Sequence, residues 1–150
     1  DGQHYWDGGY MGNPAMFPLI YHCDSRDIVI IRINPIARQG VPQTASDIIN
    51  RLNEITFNSS LMREMRAISF VTKLIDDETI PDGRMKRMFI HSIENEDFMR
   101  KLGVSSKMNP DWEFLTHLRD IGRESAEEWL GRNYDDIGKR STVDISEKYL

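Results

Sequence analysis

Apolar residues gather in short runs along this chain, separated by glycine, proline and charge, and the spacing within each run predicts an element. The longest run is Asp27 to Ile33, Asp-Ile-Val-Ile-Ile-Arg-Ile. It is β-branched and strand-sized, with apolar residues on both alternating faces. That pattern predicts a strand covered on both sides, as in a parallel sheet with helices above and below. Arg87 to Ile93 predicts a second strand. Between them, Thr44-Ala45-Ser46-Asp47 has the form of a capping box, from which a long helix should run. Ile48, Leu52, Ile55, Met62 and Met65 fall near one face of it, and Leu61, Ile68 and Ile75, seven apart, extend the stripe. Asn58-Ser59-Ser60 is a place where that helix would bend or break. Residues 76 to 83 are acidic, with Pro81 and an Asp-Gly pair, and read as a surface loop.

A short helix is expected over residues 96 to 102, ended by Gly103. Asn109-Pro110-Asp111 starts another, with an acidic first turn suited to the helix dipole. Trp112, Leu115, Leu118, Ile121 or Gly122, Ala126 and Trp129 would form its apolar stripe, and it should stop near residues 131 to 133. Residues 142 to 150 read as a polar tail that docks or frays. At the other end, residues 3 to 7 read as a short strand entering a turn. Gly8, Gly9 and Gly12 offer positive φ there, and Asn13 with Pro14 starts a helix running to about Cys23. Strand, turn, helix and buried strand in that order make a βαβ unit, so the fold class is α/β.

A chain of 150 residues suits one domain and can bury a real core. The hydrophobic fraction of 39% is ordinary for a globular protein, and no apolar run approaches the length of a membrane span. A net charge of -5 argues against general nucleic-acid binding, which wants a basic face. One cysteine, Cys23, excludes an internal disulfide and fits a reducing, cytoplasmic compartment. The chain opens on Asp1 without a basic-then-apolar leader, which points to a processed, nicked or truncated product. His4, His22, Cys23 and Asp24 fit no tight zinc spacing, so neither a metal nor another cofactor is expected. His91 and His117 have no serine in a nucleophile-elbow context and read as structural. The cluster Arg84 to Arg87 reads as a solvated strand entry.

The chemistry centres on Asp7-Gly8-Gly9, set in Tyr5-Trp6-Asp7-Gly8-Gly9-Tyr10-Met11-Gly12-Asn13-Pro14. A partly buried carboxylate on a tight turn beside a helix mouth suits a general base, because the turn fixes its direction. The bland alternative is a turn and nothing more, since Asp-Gly is a common hairpin signal. No Gly-x-Ser-x-Gly elbow occurs in the chain. This stretch resembles the Asp-Gly-Gly motif of the patatin-like phospholipases, which is followed by a short turn and Asn-Pro. Ile28 to Pro35, Phe57 to Glu64 and the end of the chain resemble a C-terminal extension found in a bacterial branch of that family.

The resemblance implies the C-terminal part of a lipid acyl hydrolase working by a Ser-Asp dyad. Residues 1–35 would end a three-layer catalytic domain, and residues 36–150 would form a mostly helical extension with one further strand. Asp7 would be the dyad aspartate. Gly8 and Gly9 would let the backbone approach the serine elbow, and Asn13 would tie the turn to the helix mouth. Tyr10, Met11 and Phe17 would line an acyl pocket, or pack at the end of the sheet. The partner would be the N-terminal segment carrying Gly-x-Ser-x-Gly, the substrate a lipid or ester, and membrane contact transient; alone, the chain would be inactive. An interaction or regulatory domain without catalysis is the alternative.

Overall fold

The computed structural model describes residues 2–81 and 83–150. Asp1, at the expected processed start, and Asp82, of the expected Asp-Gly turn, lie outside the described residues. The elements run α1 (Phe17–His22), β1 (Asp27–Arg32), α2 (Ala45–Asp76), β2 (Phe89–Glu94), α3 (Glu96–Met99), α4 (Trp112–Asn133) and α5 (Ile145–Tyr149), with short 3-10 turns at Gly8–Tyr10, Val104–Met108 and Tyr134–Asp136. The class is α/β: β1 and β2 pair in parallel, with Asp27 opposite Phe89 and Arg32 opposite Glu94, and α2 is the crossover between them. A βαβ unit is therefore present, two elements later than expected. Residues 3 to 7 form no strand, and the unit is β1-α2-β2.

Thr44 starts α2 as its pattern predicts. Its side chain accepts from the Asp47 N–H while Asp47 accepts from the Thr44 N–H. The helix then runs unbroken for 32 residues. Asn58 and Ser60 do not interrupt it because their polar groups are used sideways. The Asn58 amide donates to the Pro35 carbonyl at 2.8 Å, and the Ser60 hydroxyl accepts from the Asn13 N–H at 2.8 Å. Leu61, Met65 and Ile68 face the core as expected, whereas Ile48, Leu52 and Ile55 are exposed. In that first half the inward face is polar, led by buried Glu54, which Arg38 and Arg51 neutralise.

One face of the sheet, with Ile28, Ile30 and Ile90, packs on Leu61, Met65 and Ile68 of α2, on Met16, and on Tyr149 of α5. Tyr149 is 6% exposed, so the end of the chain is a helix anchored in the core. On the opposite face α4 packs over β2, with Trp129 edge-on to His91 at 5.7 Å. The expected two-sided cover of β1 is half present. Ile28 and Ile30 are buried, but Val29 is 44% and Ile31 75% exposed, because α4 covers β2 and leaves β1's outer residues bare.

The helix expected from Asn13 begins only at Phe17, with buried Met16 at its N-cap. The Asn13–Pro14 peptide bond is cis. The preceding backbone is bound elsewhere, Asn13 N–H to Ser60 and Met16 N–H to Glu64. His22 and Cys23 are exposed at the end of α1 rather than packed near the core. Among the described residues, no helix is long and apolar enough to cross a membrane.

Candidate functional site

Asp7 caps a 3-10 turn. Its Oδ1 accepts the Gly9 N–H at 2.8 Å, and its carbonyl accepts the Tyr10 N–H at 3.2 Å. This short-range bond fixes the direction of the carboxylate. The side chain is exposed rather than partly buried, and among the described residues it meets no serine. None of Gly8, Gly9 and Gly12 adopts a positive φ. Gly9 is needed for space instead: a Cβ there would stand 2.9 Å from the Phe57 ring and 3.1 Å from Asp7 Oδ1. A Cβ at Gly8 would meet nothing within 4 Å, so the backbone on that side lies open to approach.

Phe57 is the platform beneath the turn. Tyr10 tilts against its ring at 5.2 Å, Trp6 stands edge-on to Tyr10 at 5.9 Å, and Lys107 Nζ lies 5.2 Å from the Phe57 ring centroid. Next to Phe57 on α2, Asn58 is bound to the Pro35 carbonyl, just past the end of β1. The Asp7 turn therefore sits at the level of the C-terminal end of a parallel strand, where open α/β sheets place their ligand sites.

Of the remaining candidates, Asn13 ties the turn to α2 through its backbone, and not to the mouth of α1. Tyr10 is half exposed on Phe57, and Met11 is 85% exposed. Phe17 lies apart from them, in a surface pocket with Ile20, Val71 and Met88. The three do not line a common wall. His91 is fully buried and hydrogen-bonded, as a structural histidine should be, and exposed His117 stacks edge-on to Phe98 at 5.6 Å. The basic cluster before β2 is engaged rather than merely solvated: Lys86 donates to the Ile20 carbonyl at 3.0 Å and Arg87 pairs with Asp76. Among the described residues, no three His, Cys, Asp or Glu side chains gather to hold a metal ion.

Three features escaped the reading of motifs. Phe57 was hidden in a helix whose stripe was assigned to other residues. Lys107, between a serine and a methionine, has no spacing that marks it. The third is a cavity of 360 Å³ at the C-terminal ends of both strands, walled by residues from β1, β2, α2, α3 and α4. No protein-family model, no curated protein and no solved structure matches this chain.

Proposed function

We propose that this chain is the C-terminal part of a patatin-like serine acyl hydrolase, with Asp7 as the base of a Ser-Asp dyad whose serine lies on a segment carrying Gly-x-Ser-x-Gly. The observation that supports it most is the placement of Asp7. An exposed carboxylate, aimed by Gly9, stands at the C-terminal end of a parallel strand whose outer residues are bare. A strand that, among the described residues, has one neighbour and an uncovered apolar face suits a sheet that continues beyond β1. Helices already lie on both faces of the sheet, α2 and α5 on one and α4 on the other, so further strands beside β1 would extend it into three layers.

In this reading the serine hydroxyl attacks the ester carbonyl carbon and passes its proton to Asp7. Collapse of the tetrahedral adduct expels the alcohol, which takes that proton from Asp7. Water then attacks the acyl-serine, again giving a proton to Asp7, and the carboxylic acid leaves as the serine is restored. Open space at Gly8 leaves room for the serine elbow, and exposed Tyr5, Trp6 and Met11 suit transient contact with a lipid surface. The oxyanion donors would come from the same upstream segment as the serine.

Fluorophosphonate labelling of the purified protein tests this. A labelled serine-bearing segment, with ester hydrolysis abolished by Asp7→Asn, is the expected result. Undiminished hydrolysis in that variant overturns it. The bare face of Val29 and Ile31 also suits an interaction or regulatory domain without catalysis. A stable partner complex with no labelled serine would favour that second reading.

A further inference from the structure

The first half of α2 is inverted for a surface helix. A helix lying on a core turns apolar residues inward and polar residues to water. Here buried Glu54 and half-buried Asn50 and Asn53 face the molecule, while Ile48, Ile49, Leu52 and Ile55 face outward, between 49% and 58% exposed. Ile48, Leu52 and Ile55 stand at i, i+4 and i+7, with Ile49 beside them, so they form one patch on successive turns. Single apolar residues on a surface need no explanation, but a contiguous patch marks a contact.

Further along, the same side of α2 becomes basic. Arg63, Arg66, Phe70 and Lys73 lie near whole turns from Leu52, and all are exposed. Among the described residues these three cations have no ion pair; the pairs of α2 are Arg51 and Arg38 with Glu54, and Asp76 with Arg87. From Ile48 to Lys73 this side carries no carboxylate. Glu54 is buried, Glu64 accepts the Met16 N–H, and Asp76 and Asp77 come only where the helix ends. In a chain of net charge -5 that is a local reversal of sign. An aliphatic patch and unpaired cations on one side of a helix complement a lipid surface with anionic head groups: the aliphatic side chains enter shallowly and the cations meet phosphates. The stripe is about 38 Å long at 1.5 Å per residue, a ridge suited to a flat surface. Four half-exposed aliphatic side chains fall well short of the roughly 800 Å² that each partner gives to a stable dimer, so a second copy is the poorer fit. Phe57, the platform of the Asp7 turn, is two positions from Ile55 and so on another side of the helix. The ridge is thus separate from the surface of Trp6 and Met11.

We infer that the outer face of α2 docks this protein on an anionic bilayer, with Ile48, Leu52 and Ile55 at the acyl boundary and Arg63 and Arg66 at the phosphates. The inference does not rest on a catalytic part for Asp7. Co-sedimentation of the purified protein with vesicles of phosphatidylcholine, alone or with one third phosphatidylglycerol, tests it. Binding should require phosphatidylglycerol and weaken as salt rises. The double variant Arg63→Gln, Arg66→Gln should weaken it about thirtyfold. Leu52→Ser should weaken it by a similar factor with the melting temperature unchanged, since Leu52 is exposed. Asp7→Asn should bind as the parent does, whatever its effect on hydrolysis. The inference is overturned if the parent binds neither vesicle or binds both equally, or if these α2 variants bind like the parent. It is also overturned if Trp6→Ala abolishes binding while Leu52→Ser does not, which would place the contact at the N-terminal aromatics. A fall in molecular size of Leu52→Ser on gel filtration, with vesicle binding intact, would make a second copy the occupant and overturn it too.

Discussion

His91 Nε2 lies 3.0 Å from Asp27 Oδ1, a diagonal contact across the sheet, since Asp27 is in register with Phe89 and His91 with Val29. A carboxylate only accepts, so Nε2 donates to Asp27, while Nδ1 meets the Thr142 hydroxyl at 3.0 Å. The same Asp27 oxygen accepts the Gly138 N–H at 2.8 Å. Gly138 holds φ +79°, a conformation that side chains resist, so the turn that delivers this N–H needs glycine. One half-buried pair thus fastens the segment after α4 to both strands.

That pair gives stability a pH dependence. Burial pushes the Asp27 carboxyl up, but the Gly138 N–H, the His91 hydrogen bond and the charges of His91 and Arg26 together hold it below its ordinary 3.8. Glu96 behaves alike: burial raises it, and Arg32, the Ile36 N–H and Arg100 bring it below 4.5. A carboxyl depressed on folding contributes stability that is complete above its unfolded pKa and is lost as pH falls through the folded value. Urea midpoints should therefore hold from neutral pH to about 4.5 and drop below it. Asp27→Asn should lower the neutral midpoint and flatten that drop; an unchanged profile would contradict the linkage.

Asp7→Asn is expected to preserve the turn, because an asparagine oxygen still accepts the Gly9 N–H. If the proposed acyl hydrolase reading holds, ester hydrolysis by the intact protein should fall by about a hundredfold or more, with the melting temperature within a degree or two of the parent. Turnover of a p-nitrophenyl ester and a thermal scan check both halves.

Gly8 and Gly9 should respond oppositely to alanine. At Gly9 the new methyl meets the Phe57 ring and the Asp7 carboxylate, and relieving the overlap should cost about 1–3 kcal/mol or swing Asp7 out of position. At Gly8 it enters open space, and stability should change by less than about 0.5 kcal/mol. Denaturant unfolding of the two variants makes the comparison; equal effects would mean that Phe57 is not the constraint.

Ile31→Glu probes the bare face. Ile31 is 75% exposed, so in this chain alone the change should move stability by less than about 0.5 kcal/mol. If a further segment covers that face, the same substitution buries a charge and should release the segment. Size-exclusion chromatography of the intact protein, with and without the substitution, reads the difference.

Much of the framework was legible locally. The β-branched run placed β1, the Thr44–Asp47 reciprocal cap placed the start of α2, and Asn109-Pro110-Asp111 placed α4, which begins at Trp112 with Asp111 as its cap. Each depends on residues within a few positions of one another. The failures have the opposite character. Residues 3 to 7 read as a strand, yet among the described residues they pair with none. Asn13-Pro14 has the form of a helix start, yet its backbone is bound to Ser60, 47 residues away.

The sequence by itself determined the two strands and the two long helices, and that Asp7 stands on a tight turn, because capping, β-branching and turn formation act over three or four residues. Only the tertiary structure decided which apolar residues are covered. Ile28 and Ile31 belong to the same run, yet one is buried and the other bare, and Ile48 and Leu61 share a helix with the same contrast. Burial depends on what lies across the gap, and no local pattern carries that. The same holds for the Phe57 platform, the His91–Asp27 fastening and the cavity under α4, each assembled from residues tens of positions apart.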